Sequence, residues 1–275
     1  MSAGPEALAN ECWIVTDGVV GLENQVLGLA ERLPLSPRRF RVSFRQPWQF
    51  LAPHSIGDAL AHLADKSDAF AAPWPRLLIG SGRHSIPVSR AVKRASHGRA
   101  LIVHCEDPHA PASWFDAVIA PMHDQLSGPN VFSILGSPNR ITPRRLVEAR
   151  ATFAPLFSSL RTPRVAVLVG GDSKTHGKVT ALGNDAVVSA LLSLCRDHGL
   201  MVSTSRRTPA SLVEALKHAL GATDAYIWDG KDPNPYFGML AWADAFLVTG
   251  DSVNMICEAA GTGKPVHVLP LPGGR

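Results

Sequence analysis

The sequence predicts an α/β protein built from two doubly wound parallel-sheet domains. Three observations carry this. Short apolar runs recur along the chain with amphipathic segments between them. The runs lack polar alternation, as strands covered on both faces require. The series stops at a proline-bounded break, RTPR (161–164), and then begins again. A length of 275 residues also exceeds the roughly 100–150 residues usual for one domain, so two are expected.

The elements follow in order. ECWIVTDG (11–18) reads as a first strand, and GLENQVLGLAERL (21–33) as an amphipathic helix. FRVSFRQP (40–47) is a second strand, and IGDALAHLAD (56–65) a second helix. PRLLIGSG (75–82) is an apolar run ending in glycines, followed by a helix at SIPVSRAVKRAS (85–96). ALIVHCED (100–107), FDAVIAP (115–121) and NVFSIL (130–135) are three further strands with short connections. ITPRRLVEARATFAPLFSSL (141–160) reads as one helix, with Thr142 as N-cap and Pro143 at the first helical position. After the break come the strand VAVLVGG, a helix over 185–198, LMVSTS, a helix over 210–220, AYIWDG, a short helix over 236–243, AFLVTG, a helix, and PVHVLP. The boundaries expected are 1–145 for the first domain, 146–163 for a linker and 164–275 for the second. Ligands of open parallel sheets sit beyond the carboxyl ends of strands, and a cleft between the domains is expected to gather those ends.

Composition narrows the function classes. Hydrophobic residues make up 45% and charged residues 18%, which excludes a disordered chain. The net charge of +4 is spread in short doublets, Arg38-Arg39, Arg144-Arg145 and Arg206-Arg207. Such doublets suit phosphate or an anionic surface rather than a nucleic-acid track, so no nucleic-acid partner is expected. Cys12, Cys105, Cys195 and Cys257 are far apart and form no CxxC pair, the pattern of reduced cytosolic thiols. The first ten residues carry neither Lys nor Arg nor an apolar run, and no stretch approaches the ~20 apolar residues of a membrane helix. A cytoplasmic protein is expected, with peripheral contact at the inner face of a membrane left open.

The informative residues lie just past strand ends. In VLVGGDSKTHG (167–177), Gly170 and Gly171 let backbone approach a ligand, Ser173 and nearby amides can donate to phosphate, and Lys174 and His176 add charge. The P-loop pattern GxxxxGK[ST] is absent, and an ordinary glycine turn is the competing reading. In TSRRTP (204–209), Arg206 or Arg207 can grip a phosphate with two bonds, or both are surface arginines. FLVTGDSVNMICEAAGTGKPVHVLP (246–270) places a helix start at Asp251–Ser252, where free N–H groups and the dipole favour an anion. Asn254 follows, and Glu258 lies about two turns in, where a carboxylate can accept from the paired hydroxyls of a ribose. The alternative is that Asp251 and Ser252 only cap the helix and Glu258 is solvated. In the first domain TDGVVGLENQ crowds Asp17, Gly18, Gly21, Glu23 and Asn24 into one strand-to-helix turn. A carboxylate there can deprotonate an acceptor hydroxyl; Asp17 can equally cap the loop. SGRHS adds Arg83 and His84, and PMHD adds His123 and Asp124. HCEDPH (104–109) fits no tetrahedral zinc pattern, and the absence of GxGxxG argues against hydride transfer.

TDGVVGLENQ, LIGSGRHSIPV, PMHDQLSGPNV, VGGDSKTHG, TSRRTP, NPYFGMLAWAD and VTGDSVNMICEAAGTGKPV occur in this order from residue 16 to 266. This set resembles the ELM1-like family, widespread in bacteria and named for plant proteins that recruit a dynamin-like protein to mitochondria. That family is similar in turn to GT-B glycosyltransferases, related at fold level to MurG-type and Kdo-transferase-type enzymes, with two Rossmann-like domains facing a central cleft. The resemblance implies a nucleotide-sugar donor held by the C-terminal domain, Glu258 on its ribose, and Gly171, Ser173 and Ser252 near the diphosphate or sugar. It implies that the first domain holds the acceptor, with Asn130 on that side, and that neither a cofactor nor a metal is bound. The acceptor class it implies is a lipid-linked or envelope glycan. It also implies three readings of function: glycosyl transfer, a GT-B body acting as an adaptor without turnover, or epimerisation or hydrolysis of a nucleotide sugar. GT-B chains usually continue past the last strand with helices returning to the first domain, so by this resemblance the end at LPLPGGR implies either a missing C-terminal segment or a protein shorter than its relatives.

Overall fold

The computed structural model describes residues 11–54, 57–173, 177–228, 230 and 233–273. The chain divides into two compact units, Met1–Arg140 and Ile141–Arg275.

The first unit contains β1 (Glu11–Thr16), α1 (Val20–Ala30), β2 (Ser36–Arg41), α2 (Trp48–Leu51), β3 (Leu77–Ser81), α3 (Ser85–Ala95), β4 (Leu101–Cys105), β5 (Ala117–Pro121) and β6 (Val131–Ile134). Its six strands are parallel, in the order β2-β1-β3-β4-β5-β6. Alternate side chains feed opposite faces. Trp13, Val15, Leu78 and Ile102 join Ile86 and Val88 of α3 in one core, and Cys12, Ile14 and Ile79 join Val26 and Leu27 of α1 in another. Trp13 anchors the first core, with Phe40 at 4.5 Å and Phe70 and Trp74 each at 5.8 Å between ring centres. The connections β4–β5 and β5–β6 bring no α-helix, so part of the α1 face stays open as an apolar groove of about 370 Å³ that includes Val103, Ile119 and Phe132.

The second unit contains α4 (Pro143–Thr152), α5 (Ala154–Phe157), β7 (Arg164–Val169), α6 (Asn184–Leu194), β8 (Gly199–Thr204), α7 (Ala210–Leu220), β9 (Tyr226–Ile227), α8 (Tyr236–Trp242), β10 (Ala245–Thr249), α9 (Val253–Ala260) and β11 (Val266–Leu269). Its parallel sheet has the order β11-β10-β7-β8-β9. Phe157, Met239, Leu240 and Phe246 fill one core, and Leu191, Leu212, Leu216 and Leu220 the other. In both sheets the order reverses beside the first strand, between β1 and β3 and between β7 and β10. Crevices at such points receive ligands in doubly wound sheets.

Three expectations differ from what is observed. The strand expected over 40–47 instead pairs over Ser36–Arg41, where Arg38, Arg39 and Arg41 lie on an edge. The helix expected over 56–65 is a single 3₁₀ turn, Ala59–His62, and its start at Ile56 lies outside the described residues. Asp58 caps that turn by accepting from the Leu60 N–H, and Leu63 then bridges Phe44, so the backbone is committed to the sheet side before a second turn forms. The helix expected over 141–160 begins as foreseen, with Thr142 accepting from the Arg145 N–H at 3.1 Å. It breaks at Phe153 because Pro155 lacks an N–H and its ring crowds the preceding turn. The segment expected as a linker, 146–163, therefore lies within the second unit and packs on α8. Trp242 donates to the Arg150 carbonyl, and Gly238 leaves room for Phe153.

Candidate functional site

At the switch point of the second sheet, the loops after β7, β8 and β10 are tied by one carboxylate. Asp251 has no exposed side-chain surface. It accepts from the Gly171 N–H at 2.9 Å, from the Thr249 hydroxyl at 2.7 Å and from Arg207 Nη2 at 2.8 Å. The Gly170 N–H meanwhile donates to Thr249 Oγ1 at 2.7 Å. A Cβ on Gly170 would lie 2.1 Å from Asp251 Oδ1, and one on Gly171 2.2 Å from the Arg207 carbonyl oxygen. Both glycines thus make room for internal packing. The Asp251 charge is used internally, and its carboxylate occupies the Gly171 amide. Ser252, not Asp251, caps α9, accepting from the Met255 N–H at 3.4 Å. Arg207 keeps half of its side chain exposed, and Arg206 is exposed beside it. The Ser173 N–H donates to the Gly177 carbonyl at 2.8 Å. Lys174 and His176 lie outside the described residues.

Glu258 lies on the second turn of α9 and is buried to 5% exposure. Its Oε2 accepts from the Tyr236 hydroxyl at 2.7 Å. Burial, and then the Glu258 charge, push the Tyr236 pKa well above its ordinary value, so the phenol stays a donor. Asn254 is half-buried on the same helix. The solvated reading of Glu258 is therefore excluded. Tyr236, 22 residues away in sequence, carried no local signal of this pairing.

At the switch point of the first sheet, Asp17 accepts from the Val19 N–H at 3.2 Å, an Asx-type turn after β1. A Cβ on Gly82 would come within 3.3 Å of Asp17 Oδ2, so this carboxylate lies against the turn after β3. Gly18 takes φ +82°, and Gly21 lies in the first turn of α1. Glu23 is nearly buried, with Oε1 3.3 Å from Arg39 and Oε2 3.1 Å from Arg41. With both oxygens on guanidiniums, Glu23 is better placed to pin β2 to α1 than to accept a proton. Glu23→Gln is expected to lower stability by only about 1 kcal/mol in thermal unfolding, because both arginines are more than half exposed. A loss several times larger would mean that the pair is dominated by burial.

His84 precedes α3 and stands edge-on to Phe44 at 5.8 Å. Burial, then the Arg83 charge, lower its pKa, against a bond to the Gln49 backbone and the pull of Asp17. Arg83 itself is exposed. His123 Nε2 sits 3.5 Å from Asp124 Oδ1 on the surface after β5. Asp124 Oδ2 accepts from the Asp107 N–H at 3.3 Å. Asn130 spends both amide hydrogens on the Ala112 and Phe115 carbonyls, at 2.8 and 2.9 Å, so its side chain ties a loop. Asn24 is half-buried on α1. In HCEDPH, burial drives the His104 pKa down to about 3 and the Cys105 pKa up to about 12, leaving both neutral. No group of three or more His, Cys, Asp or Glu able to hold a metal occurs among the described residues. Among them, too, no helix is long and apolar enough to cross a membrane.

Two parallel-sheet α/β units, each with polar loops at its switch point, define a protein of the GT-B-like fold. Solved structures agree. The UDP-GlcNAc 2-epimerase from Neisseria meningitidis matches with a TM-score of 0.53 at 13% identity, over 94% of this chain and 82% of that one. MurG from Acinetobacter baumannii matches with a TM-score of 0.50 at 14% identity, over 95% and 78%. Within that fold the chain belongs to the mitochondrial fission ELM1 family, whose model matches residues 20–275. The mitochondrial fission protein ELM1 of Arabidopsis thaliana is 31% identical over 219 residues, which cover 71% of this chain and 51% of that protein. The chain thus spans about half the length of that relative. An uncharacterized protein of Rickettsia prowazekii, RP120, is 24% identical over 305 residues, covering 94% of this chain and 83% of that one.

Proposed function

We propose that the protein transfers a sugar from a nucleotide-activated donor to an acceptor hydroxyl without a metal, with the donor on the second unit. The observation that carries this is Glu258. A carboxylate buried to 5% exposure, oriented by a tyrosine hydroxyl and set two turns beyond a helix N-terminus, is suited to accept from vicinal ribose hydroxyls. Arg206 and the half-exposed Arg207 supply positive charge for the diphosphate beyond the same sheet edge. The epimerase of similar fold binds UDP-GlcNAc, which supports a nucleotide-sugar site on this scaffold. The acceptor proposed is an envelope or lipid-linked glycan reached from the cytoplasm.

Calorimetry with a panel of nucleotides and nucleotide sugars tests the donor site. Glu258→Gln keeps the side-chain volume and an oxygen for Tyr236, and is expected to weaken binding by about 1.5–3 kcal/mol. Unchanged affinity for every nucleotide that binds the wild type would show that Glu258 does not hold the ribose.

A second reading, an adaptor without turnover, is favoured by the internal use of Asp251 and Glu23, which behave as structural acids. The name of the Arabidopsis relative, a mitochondrial fission protein, points the same way. Nucleotide binding with no transfer to any acceptor tried would select it.

A further inference from the structure

The first unit separates its charges. Residues 32–57 hold five arginines, and residues 69–105 hold five arginines and a lysine. Neither stretch contains an Asp or a Glu, although the net charge of the whole chain is only +4. The two stretches meet around α2. His84, at the start of α3, bonds to the Gln49 backbone and stands edge-on to Phe44. Arg94 donates to the Gly57 carbonyl at 3.3 Å. The Arg90 guanidinium lies 3.7 Å from the centre of the Trp114 ring, which also meets His54.

Arg45, Arg83, Arg90 and Arg94 therefore lie on segments in contact with α2 or with the residues that flank it. Arg45 spends N–H groups on the Leu63 and Ala61 carbonyls and keeps its charge. Among the described residues none of the four forms an ion pair. Arg90 and Arg94 are four apart on α3, where like charges repel. Burial, and then the Arg94 charge, lower the Arg90 pKa.

α2 sets apolar surface amid this charge. Phe50 is 68% exposed and Leu51 is 43% exposed. Apolar side chains scattered singly are ordinary on a surface, but these two adjoin each other on a fixed turn. Trp48 packs on the sheet core and stacks on His62 at 3.8 Å, and Ala52 is buried. The Phe50 N–H donates to the Pro47 carbonyl at 3.0 Å, and the Gln49 N–H to the Arg45 carbonyl at 3.1 Å. The exposure of Phe50 and Leu51 is thus held by the fold.

We propose that α2 is a membrane-docking element: Phe50 and Leu51 enter the interface of an anionic bilayer, and Arg45, Arg83, Arg90 and Arg94 meet its phosphates. Long arginine stems can lie along apolar lipid while their heads stay at headgroup level. Apolar area and cations together are what an anionic lipid surface rewards. A nucleic acid would meet the cations and leave Leu51 in water. The assignment stands apart from the transfer reading, since an adaptor at a membrane needs the same surface.

Co-sedimentation of the whole chain with vesicles tests this. Wild type is expected to bind vesicles of equal parts phosphatidylglycerol and phosphatidylcholine, and to bind phosphatidylcholine alone far less. Binding should weaken between low salt and about 0.15 M salt, because exposed charges are screened. Phe50→Gln/Leu51→Gln should weaken it about tenfold, through apolar area no longer buried. Arg83→Gln/Arg94→Gln should weaken it about tenfold or more, since one arginine near an anionic leaflet contributes about fivefold. All four side chains are exposed, so thermal unfolding of both variants should stay near wild type. Phe50→Trp supplies a check that does not depend on loss of function. It should keep binding, and the emission it adds should shift to the blue on anionic vesicles. Undiminished binding in either double variant, equal binding to both kinds of vesicle, or an added tryptophan without a shift overturns the proposal. Wild type that stays in solution with every vesicle also overturns it, and leaves α2 to a protein partner.

Discussion

Asp251→Ala is expected to destabilise the second unit by about 3–5 kcal/mol, the loss seen when a buried charged group is removed from its partners. The three partners come from three different loops: the Gly171 N–H after β7, the Arg207 guanidinium after β8 and the Thr249 hydroxyl at the end of β10. Truncation strands the amide and the hydroxyl in a buried setting, where each unmet group costs about 1–3 kcal/mol. Arg207 contributes least, since half of its side chain already reaches water. Urea unfolding should report the change as a lower midpoint at an unchanged slope. A loss under about 1 kcal/mol would mean that water replaces the carboxylate without cost, and the carboxylate would not be the tie between the loops.

Gly170→Ala is the second large effect, expected at about 3 kcal/mol, the upper end for overpacking. The added methyl would stand 2.1 Å from one Asp251 oxygen and 2.3 Å from the other. A flexible side chain would swing aside, but this carboxylate is held by three donors. The two substitutions are therefore coupled. In Gly170→Ala/Asp251→Ala the methyl meets a space already vacated, so the double variant should fall short of the summed losses by about 1–3 kcal/mol. Strict additivity would show that Gly170 clashes with something other than Asp251.

The fold was legible because strand and helix signals are written in local pattern. Two series of double-sided apolar runs required two covered sheets, and Thr142-Pro143 marked a helix start to the residue. The misread elements are those decided elsewhere. The 56–65 segment has a helical period, yet Asp58 caps it into one turn and Leu63 is drawn into a bridge with Phe44. The candidate site was legible as positions, since polar residues past strand ends stand out. Their roles were less so, because a role depends on partners distant in sequence. Asp251 takes an arginine 44 positions away, Glu23 takes two from β2, and Glu258 takes Tyr236.

The pairing of Glu23 with the arginines of β2 has a further consequence, for what the protein avoids. β2 is an outer strand, and the outer strand of any open sheet offers unpaired amides and carbonyls to another chain. Pro37 removes one of those amides, and Arg38, Arg39 and Arg41 crowd the strand with charge. A second copy approaching β2 would set arginine against arginine. Glu23 holds Arg39 and Arg41 from the protein's own side and leaves much of each exposed, so the repulsion still faces outward. In the other sheet one of the two outer strands, β9, has only two residues, too short to template an addition. Charge at β2 and brevity at β9 discourage strand addition at these two edges.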